Sequence, residues 1–429
     1  MSKFTFVELF AGIGGVSFGF EKVGGKCVLA AEYDPERAGK RQFAQEAYKL
    51  LHPSVPVVGD VTELNGGDVP DHDLLSFTFP CQSFSLSGKR GGFEDARGTL
   101  YFEAMRIARE KKPKIIFAEN VKGLVNHDKG KTLDTIIQVA NDSGYIVDYE
   151  ILNSKFFGVP QNRERWFLIG VREDLIEAEP WIVEGNTIIP KSKKRIGEWA
   201  KTFNFDWPAQ ESITTRLRDI LETEVDEKYY LDDEKTAKLV AQLEDGDKIA
   251  GSVGHHPFSK KYEFKGYNSE ISPSLIATDY KAPKTVLEEG LQIRESSNNN
   301  YTLKAKKPDE RMSRQAIETF NESEQPKEHG DMIQAYNRQH LKDGICPTLT
   351  TRPEGFKTAS LPIVESEPPK YRIRKLTPKE CFRLQAFPDE AHDALEVAGI
   401  SNSQRYKMAG NAVTVSVIEA IGERLLRFL

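Results

Sequence analysis

The chain has 429 residues, 39% of them hydrophobic and 29% charged, with a formal net charge of −6. That length accommodates two or three domains with a large buried core, and the composition is that of a soluble globular protein. No apolar run reaches membrane-spanning length, and Cys27, Cys81, Cys346 and Cys381 are too widely spaced for a disulfide framework or a zinc ribbon.

From Met1 the chain passes almost directly into a first strand, leaving no room for a secretory signal and suiting a reducing cytosol. Apolar runs predict strands over 5–10, 26–31, 55–58, 74–79, 115–118, 146–153 and 166–171, with helical patterns between most of them, for example over 100–110 and 132–143. This alternation predicts an α/β fold, a mostly parallel sheet covered on both faces, with ligands at the carboxyl ends of its strands. From residue 173 to 370 the pattern gives way to Pro, Gly and charged loops with scattered aromatic and β-branched residues. Ile271-Ser272-Pro273-Ser274-Leu275-Ile276 is echoed there by Ile345-Cys346-Pro347-Thr348-Leu349-Thr350, as two similar turn-strand junctions or as a duplication. Regular structure returns at Thr377, an N-cap followed by Pro378 and by Glu380 in capping-box position. A last amphipathic helix over 414–428 is expected to pack on the first domain. The expected organisation is therefore a discontinuous domain, 1–172 plus 371–429, interrupted by a smaller mixed, β-rich domain over 173–370.

Charge is unevenly distributed. Residues 222–248 carry ten acidic and four basic side chains, while Lys191-Ser192-Lys193-Lys194-Arg195, Lys260-Lys261 and Lys304-Ala305-Lys306-Lys307 are basic clusters. Such clusters permit a polyanion partner without naming one.

The first strand runs into Phe10-Ala11-Gly12-Ile13-Gly14-Gly15, whose glycines let backbone N–H groups approach a ligand at a helix N-terminus. The spacing departs from the dinucleotide fingerprint, because Ser17 stands where its third glycine would be. Glu32 closes the second strand about twenty residues on, where an acid can accept ribose hydroxyls. Asp60 follows the third strand and reads, alone, as a turn or helix-cap aspartate. A lone cysteine is usually an inert small hydrophobe. Cys81, however, follows the apolar run 74–79 and opens a loop of Ser, Gly, Lys and Arg, the place of a nucleophile in a crevice. The fifth strand meets Glu119-Asn120-Val121, and a carboxylate there needs either a paired cation or a raised pKa suited to acid–base work. Gln161-Asn162-Arg163-Glu164-Arg165 supplies candidate cations.

Taken in order, these segments resemble those of the DNA (cytosine-5) methyltransferase family. The matching motifs include the Phe10–Gly15 turn, Glu32, Gly59-Asp60-Val61, Pro80-Cys81-Gln82-Ser83-Phe84-Ser85, Arg97-Gly98-Thr99-Leu100, Glu119-Asn120-Val121 and Gln161-x-Arg163-x-Arg165. Arg374-x-Leu376-Thr377-x-x-Glu380-x-x-Arg383-Leu384-Gln385-x-Phe387-Pro388 and Gly410-Asn411-Ala412-Val413 complete the series. The resemblance implies a Rossmann-like sheet that uses S-adenosylmethionine, of the bacterial restriction-modification type. It implies that Cys81 adds to carbon 6 of cytosine and so makes carbon 5 nucleophilic. Glu119 would hold or protonate ring N3, for which it would need a raised pKa, Arg165 would bind the base carbonyl and steady Glu119, and Arg163 would be a phosphate or loop contact. Phe10, Gly12, Gly14, Gly15, Glu32, Asp60, Val61, Pro80, Leu100 and Asn411 would form the cofactor site. Gln82 and Ser85 would face DNA, as would Thr348-Leu349, for which Ser274-Leu275 is the competitor. Both faces of the ring must be reached, so the cytosine would be flipped out, with loop 83–98 as a lid. The expected partner is double-stranded DNA, with no membrane and no metal, for a monomer in the bacterial cytoplasm. A structured RNA substrate and a catalytically dead DNA-binding regulator are the competing readings. The long insert argues against the first, and intact Cys81, Glu119 and Arg165 against the second.

Overall fold

The computed structural model describes residues 2–79, 100–212, 214–215, 217–230 and 376–429, together with the backbone of short strands between 252 and 375. In chain order the elements are β1 (Phe4–Leu9), α1 (Gly15–Lys22), β2 (Gly25–Ala31), α2 (Phe43–Leu51), β3 (Val57–Val58), β4 (Leu74–Phe77), α3 (Leu100–Lys111) and β5 (Ile115–Val121). They continue with α4 (Lys131–Asp142), β6 (Tyr145–Asn153), β7 (Gln161–Asn162), β8 (Glu164–Arg172), α5 (Ile188–Ile196), α6 (Pro378–Arg383), α7 (Asp389–Val397), α8 (Asn402–Asn411) and α9 (Val415–Leu425).

The chain divides into two compact units. The first is Met1–Phe157, Glu164–Glu211 and Ala412–Leu429; the second is Gly158–Arg163 and Ser212–Asn411. The first unit holds a seven-stranded sheet of order β3-β2-β1-β4-β5-β8-β6, in which the first five strands are parallel and β8 runs antiparallel to both β5 and β6. Strands covered on both faces read as continuous apolar runs, which is why Leu74–Phe77 is buried at every position. Helices α1, α2 and α9 cover one face through Val16, Phe20, Tyr48, Val417, Ile418 and Ile421. On the other face lie Tyr101, Met105, Leu133, Ile136, Ile189 and Ile196 of α3, α4 and α5. The final helix thus packs in the first unit as expected, and Ser154 and Thr414 share a buried hydroxyl hydrogen bond of 2.8 Å at its start.

Residues 173–211, assigned to the insert by their loop-like composition, lie in the first unit. The cause is a buried carboxylate. Asp148 of β6 accepts from Phe205 N at 2.9 Å and Trp207 Nε1 at 2.8 Å, and pairs with Lys193 Nζ at 2.6 Å. Lys193 also lies over the rings of Tyr149 and Trp181. These contacts bind a polar stretch to the sheet, which periodicity could not reveal. Residues 371–411 cluster conversely with the second unit.

In the second unit, Thr377 and Glu380 form the expected capping box at the start of α6. Arg383 pairs with Asp389, and Gln385 Nε2 donates to Ala409 O at 2.9 Å. The described backbone further along is short strands. Ile271–Pro273 runs parallel to Asp331–Gln334, while Cys346–Pro347 runs parallel to β7, so the two echoed segments have different partners. Ala359–Val364 pairs antiparallel with Tyr371–Lys375.

Asp148 and Lys193 are 2% and 8% exposed, so removing one charge strands the other. Lys193→Ala is expected to lower stability by about 3–5 kcal/mol, read as a reduced urea midpoint. A loss under about 1 kcal/mol would show that the pair does not hold the 173–211 segment.

Candidate active site

Five parallel strands bring their carboxyl ends to one edge of the sheet, and the order β3-β2-β1-β4-β5 reverses direction between β1 and β4. Such a switch point opens a crevice for a ligand.

Beyond β1 the backbone turns sharply. Phe10, Gly12 and Gly14 have φ of 58°, 59° and 84°. Gly14 is the N-cap of α1, and a Cβ there would lie 2.3 Å from His52 Nε2, so the turn both needs left-handed backbone and leaves no room for a side chain. At Gly12, by contrast, a Cβ would meet nothing within 4 Å. The turn is held by Ala11 N donating to Ala31 O at 3.0 Å and by Gly12 N donating to Glu32 Oε2 at 2.8 Å. Glu32, one residue past β2, is thereby joined to Gly12, and these two are half-buried while Ala11, Ile13, Gly14 and Gly15 are buried.

Asp60 Oδ1 accepts from Thr62 N at 2.9 Å and from Thr62 Oγ1 at 2.8 Å, the helix-cap role its sequence suggests. Val61 is buried at 3% with its side chain in the core, so only its backbone could face a ligand. Leu100 is half-buried at the first position of α3.

Glu119 lies within β5, not beyond its end, because the strand continues to Val121. Its Oε1 stands 3.2 Å from Arg165 Nε, with the side chains 12% and 15% exposed. The pair is diagonal across the antiparallel β5–β8 ladder, where Val121 faces Arg165 and Glu119 faces Phe167. Burial pushes the Arg165 guanidinium below its ordinary value and the Glu119 carboxylate pulls it back. The structure supplies a paired cation for this acid.

Arg163 belongs to the second unit, is 2% exposed, and donates Nη1 to Gly410 O at 3.3 Å. It braces the residue before Asn411, an internal loop contact; a side chain so enclosed is not placed to take a DNA phosphate. Asn411 is itself exposed at the end of α8. Pro80, Cys81, Gln82, Ser85, Thr348 and Leu349, with the competing Ser274-Leu275 and the loop 83–98, lie outside the described residues.

Two residues missed in the sequence fix the approach to Cys81. Thr78 Oγ1 donates to Phe10 O at 2.9 Å, and Asn120 Nδ2 donates to Phe79 O at 2.8 Å. The chain leaves β4 tied on one side to the glycine turn and on the other to the Glu119-bearing strand. A threonine near the end of a largely apolar run, and an asparagine beside the acid, were the available signals.

The partial exposure and open space at Gly12 and the Glu32 carboxylate suit a ligand with a ribose diol. No helix among the described residues is long and apolar enough to cross a membrane.

Comparison with known proteins gives a family. The model described as C-5 cytosine-specific DNA methylase matches residues 4–427. "Orphan methyltransferase M.SPRI" of Bacillus phage SPR is 38% identical over 99% of this chain and 98% of its own. "Type II methyltransferase M.HpaII" of Haemophilus parainfluenzae is 31% identical over 100% of this chain and 90% of its own. Among solved structures, a mutant DNMT2 of Spodoptera frugiperda matches with a TM-score of 0.57 over 98% of this chain and 99% of that one, at 16% identity, a likeness of fold.

Left-handed backbone costs a non-glycine residue about 1–2 kcal/mol, and the contact with His52 adds to it. Gly14→Ala is therefore expected to lower stability by about 2 kcal/mol or more, measured by chemical unfolding. An unchanged midpoint would contradict the close seating of this turn on His52.

Proposed function

Because the chain belongs to the C-5 cytosine-specific DNA methylase family, we propose that it methylates carbon 5 of a flipped-out cytosine at a specific double-stranded DNA sequence, using S-adenosylmethionine. The observation that carries this reading is the buried Glu119–Arg165 pair at the carboxyl edge, on the strand next to the one leading into Cys81.

In this reading each group has a distinct task. The Cys81 thiolate adds to carbon 6 and breaks the ring's conjugation, so that carbon 5 becomes nucleophilic. Glu119 holds ring N3 and stabilises the adduct, while Arg165 keeps that carboxyl oriented and can reach the base carbonyl. Thr78 and Asn120 hold the chain at residues 78 and 79, just before the nucleophile, from two sides. Gly12, Gly14, Gly15, Glu32, Phe10 and Leu100 hold the cofactor, with Asp60, Val61 and Pro80, and the family motif assigns Asn411 as a further cofactor residue. The bound cofactor supplies an electrophilic sulfonium methyl group. Once carbon 5 is methylated, removal of its proton expels the thiolate and restores the enzyme. The domain assigned to residues 173–370, reduced by the segment 173–211 that joins the first unit, reads the target sequence. In use the enzyme acts in the bacterial cytoplasm, where methylation protects host DNA from a matching endonuclease.

DNA carrying 5-fluorocytosine in place of the target base cannot lose a proton from carbon 5, so it should accumulate as a covalent complex when cofactor is present. Cys81→Ala should abolish that complex, seen as loss of the slow-migrating band in a denaturing gel; an undiminished band would overturn the assignment. Bisulfite sequencing after expression in a methylation-free host should reveal one protected sequence context. Uniform conversion of all cytosines would reject the DNA substrate.

A further inference from the structure

The least expected group in the first unit is Glu8. It sits in β1 at 1% exposure, on the face otherwise lined by Phe4, Phe6, Leu74 and Phe117. Its Oε2 accepts from Ser17 N at 3.2 Å and from the Ser17 hydroxyl, and Tyr48 OH stands at 3.2 Å. The Ser17 and Tyr48 hydroxyls are themselves 2.6 Å apart, and Tyr48 OH approaches Cys27 Sγ at 3.5 Å.

Position gives this cluster its meaning. Ser17 is the third residue of α1, whose N-cap, Gly14, has no side chain to offer. A helix start normally has a side-chain oxygen accepting from the N–H of its second or third residue. Here a strand residue six positions before the N-cap supplies that oxygen. The glycine turn 10–15 is thus clamped at its far end by Glu8, as it is held at Gly12 by Glu32.

We propose that Glu8 is a positioning residue of the cofactor site, a cap donated from β1 to α1 that sets the geometry of the Gly12–Gly15 turn and makes cofactor affinity depend on its charge. This rests on the reading of that turn as the cofactor site. Burial pushes the Glu8 carboxyl up to about 7, against the opposing pull of Ser17, His52 and Tyr48. Among the described residues the other titratable groups facing it are Tyr48 of α2, Cys27 of β2 and His52 just after α2, whose Nδ1 lies 3.5 Å from Glu21 of α1. Burial drives Cys27 up to about 12 and Tyr48 far upward, so both stay neutral when Glu8 ionises. From β4 the neighbour in register is Ser76, which carries no charge.

Two effects of ionisation oppose each other. The folded-state value of Glu8 is raised, so its contribution to stability is complete below the ordinary carboxyl range and is lost as pH rises through about 7. The ionised carboxylate, however, is the stronger acceptor and lies at the positive end of α1. Cofactor affinity should therefore rise over the pH range in which stability falls.

The test is cofactor binding by the full-length enzyme, titrated calorimetrically with S-adenosylmethionine from about pH 6 to about pH 8.5. The wild type should bind about fivefold tighter at the upper end, the difference between a neutral and a charge-assisted hydrogen bond. Binding near neutrality should also release a proton, seen as a buffer-dependent heat. Glu8→Gln keeps the acceptor without the charge, so its affinity should be flat with pH and its proton release absent. Glu8→Ala should bind about tenfold more weakly; if that variant does not fold, the glutamine variant decides alone. An inflection retained in Glu8→Gln, a flat wild-type profile, or a folded Glu8→Ala of undiminished affinity would overturn the proposal. Glu32→Ala separates the two levels of inference. If it loses affinity while Glu8 variants do not, only the role of Glu8 fails; if it binds normally, the cofactor-site reading fails and this proposal with it.

Discussion

A carboxylate removed from water must be met by donors or by a cation, and the first unit is organised around four places where that happens. Glu8 is met by Ser17 and Tyr48, Glu32 by the amide of Gly12, Glu119 by Arg165, and Asp148 by Lys193, Phe205 and Trp207. An unsatisfied buried carboxylate is penalised by several kcal/mol, which is comparable to the whole stability of a domain. For the three buried acids, Glu8, Glu119 and Asp148, the partner is therefore obligatory, and in each case it comes from a different part of the chain. Satisfying the acids is what fixes the start of α1, the glycine turn, the entry of β8 and the path of residues 173–211.

Topology brings three of these acids to one working edge. With β1 and β4 adjacent at the switch point, the turn after β1 and the segment leading to Cys81 flank one crevice, and Thr78 ties them across it. The reversed strand β8 begins at that same edge, so Arg165 near its start arrives beside Glu119 near the end of β5. A parallel β8 would have begun at the opposite edge, carrying Arg165 the length of the strand away. The antiparallel strand is thus the feature that lets a distant arginine serve the acid.

How much of this was legible depended on whether the signal was local. The strands were, because buried parallel strands are mostly apolar; Leu74–Phe77 and residues 115–118 follow from their side chains, whereas the continuation of β5 through Glu119 to Val121 does not. The helix at Thr377 was legible for the same reason, its capping box lying within four consecutive residues. A cation for Glu119 was one of two outcomes that burial allowed, and the spacing of the residues, without the family resemblance, did not choose between Arg163 and Arg165. Geometry makes the choice: Arg165 is in β8 against Glu119, whereas Arg163 is enclosed against Gly410. The segment 173–211 was misassigned because its hold on the sheet is polar and long-range, a single aspartate gathering a lysine and two backbone or ring N–H groups. No hydrophobic period records such an arrangement.

Ser17 shows how an irregular motif and an anomalous burial can be one feature. In a dinucleotide-binding turn the third glycine permits close contact between helix and strand. A serine there would crowd β1 if an ordinary apolar residue faced it. Here the facing residue is Glu8, and the hydroxyl that would have been an obstruction becomes a donor to its carboxylate. Glu8 could not be buried in this apolar face without Ser17 and Tyr48. Ser17, in turn, could not replace a glycine without an acceptor to receive it. The departure from the glycine pattern and the acid inside the strand therefore account for each other, and together they give α1 the cap that Gly14 cannot provide.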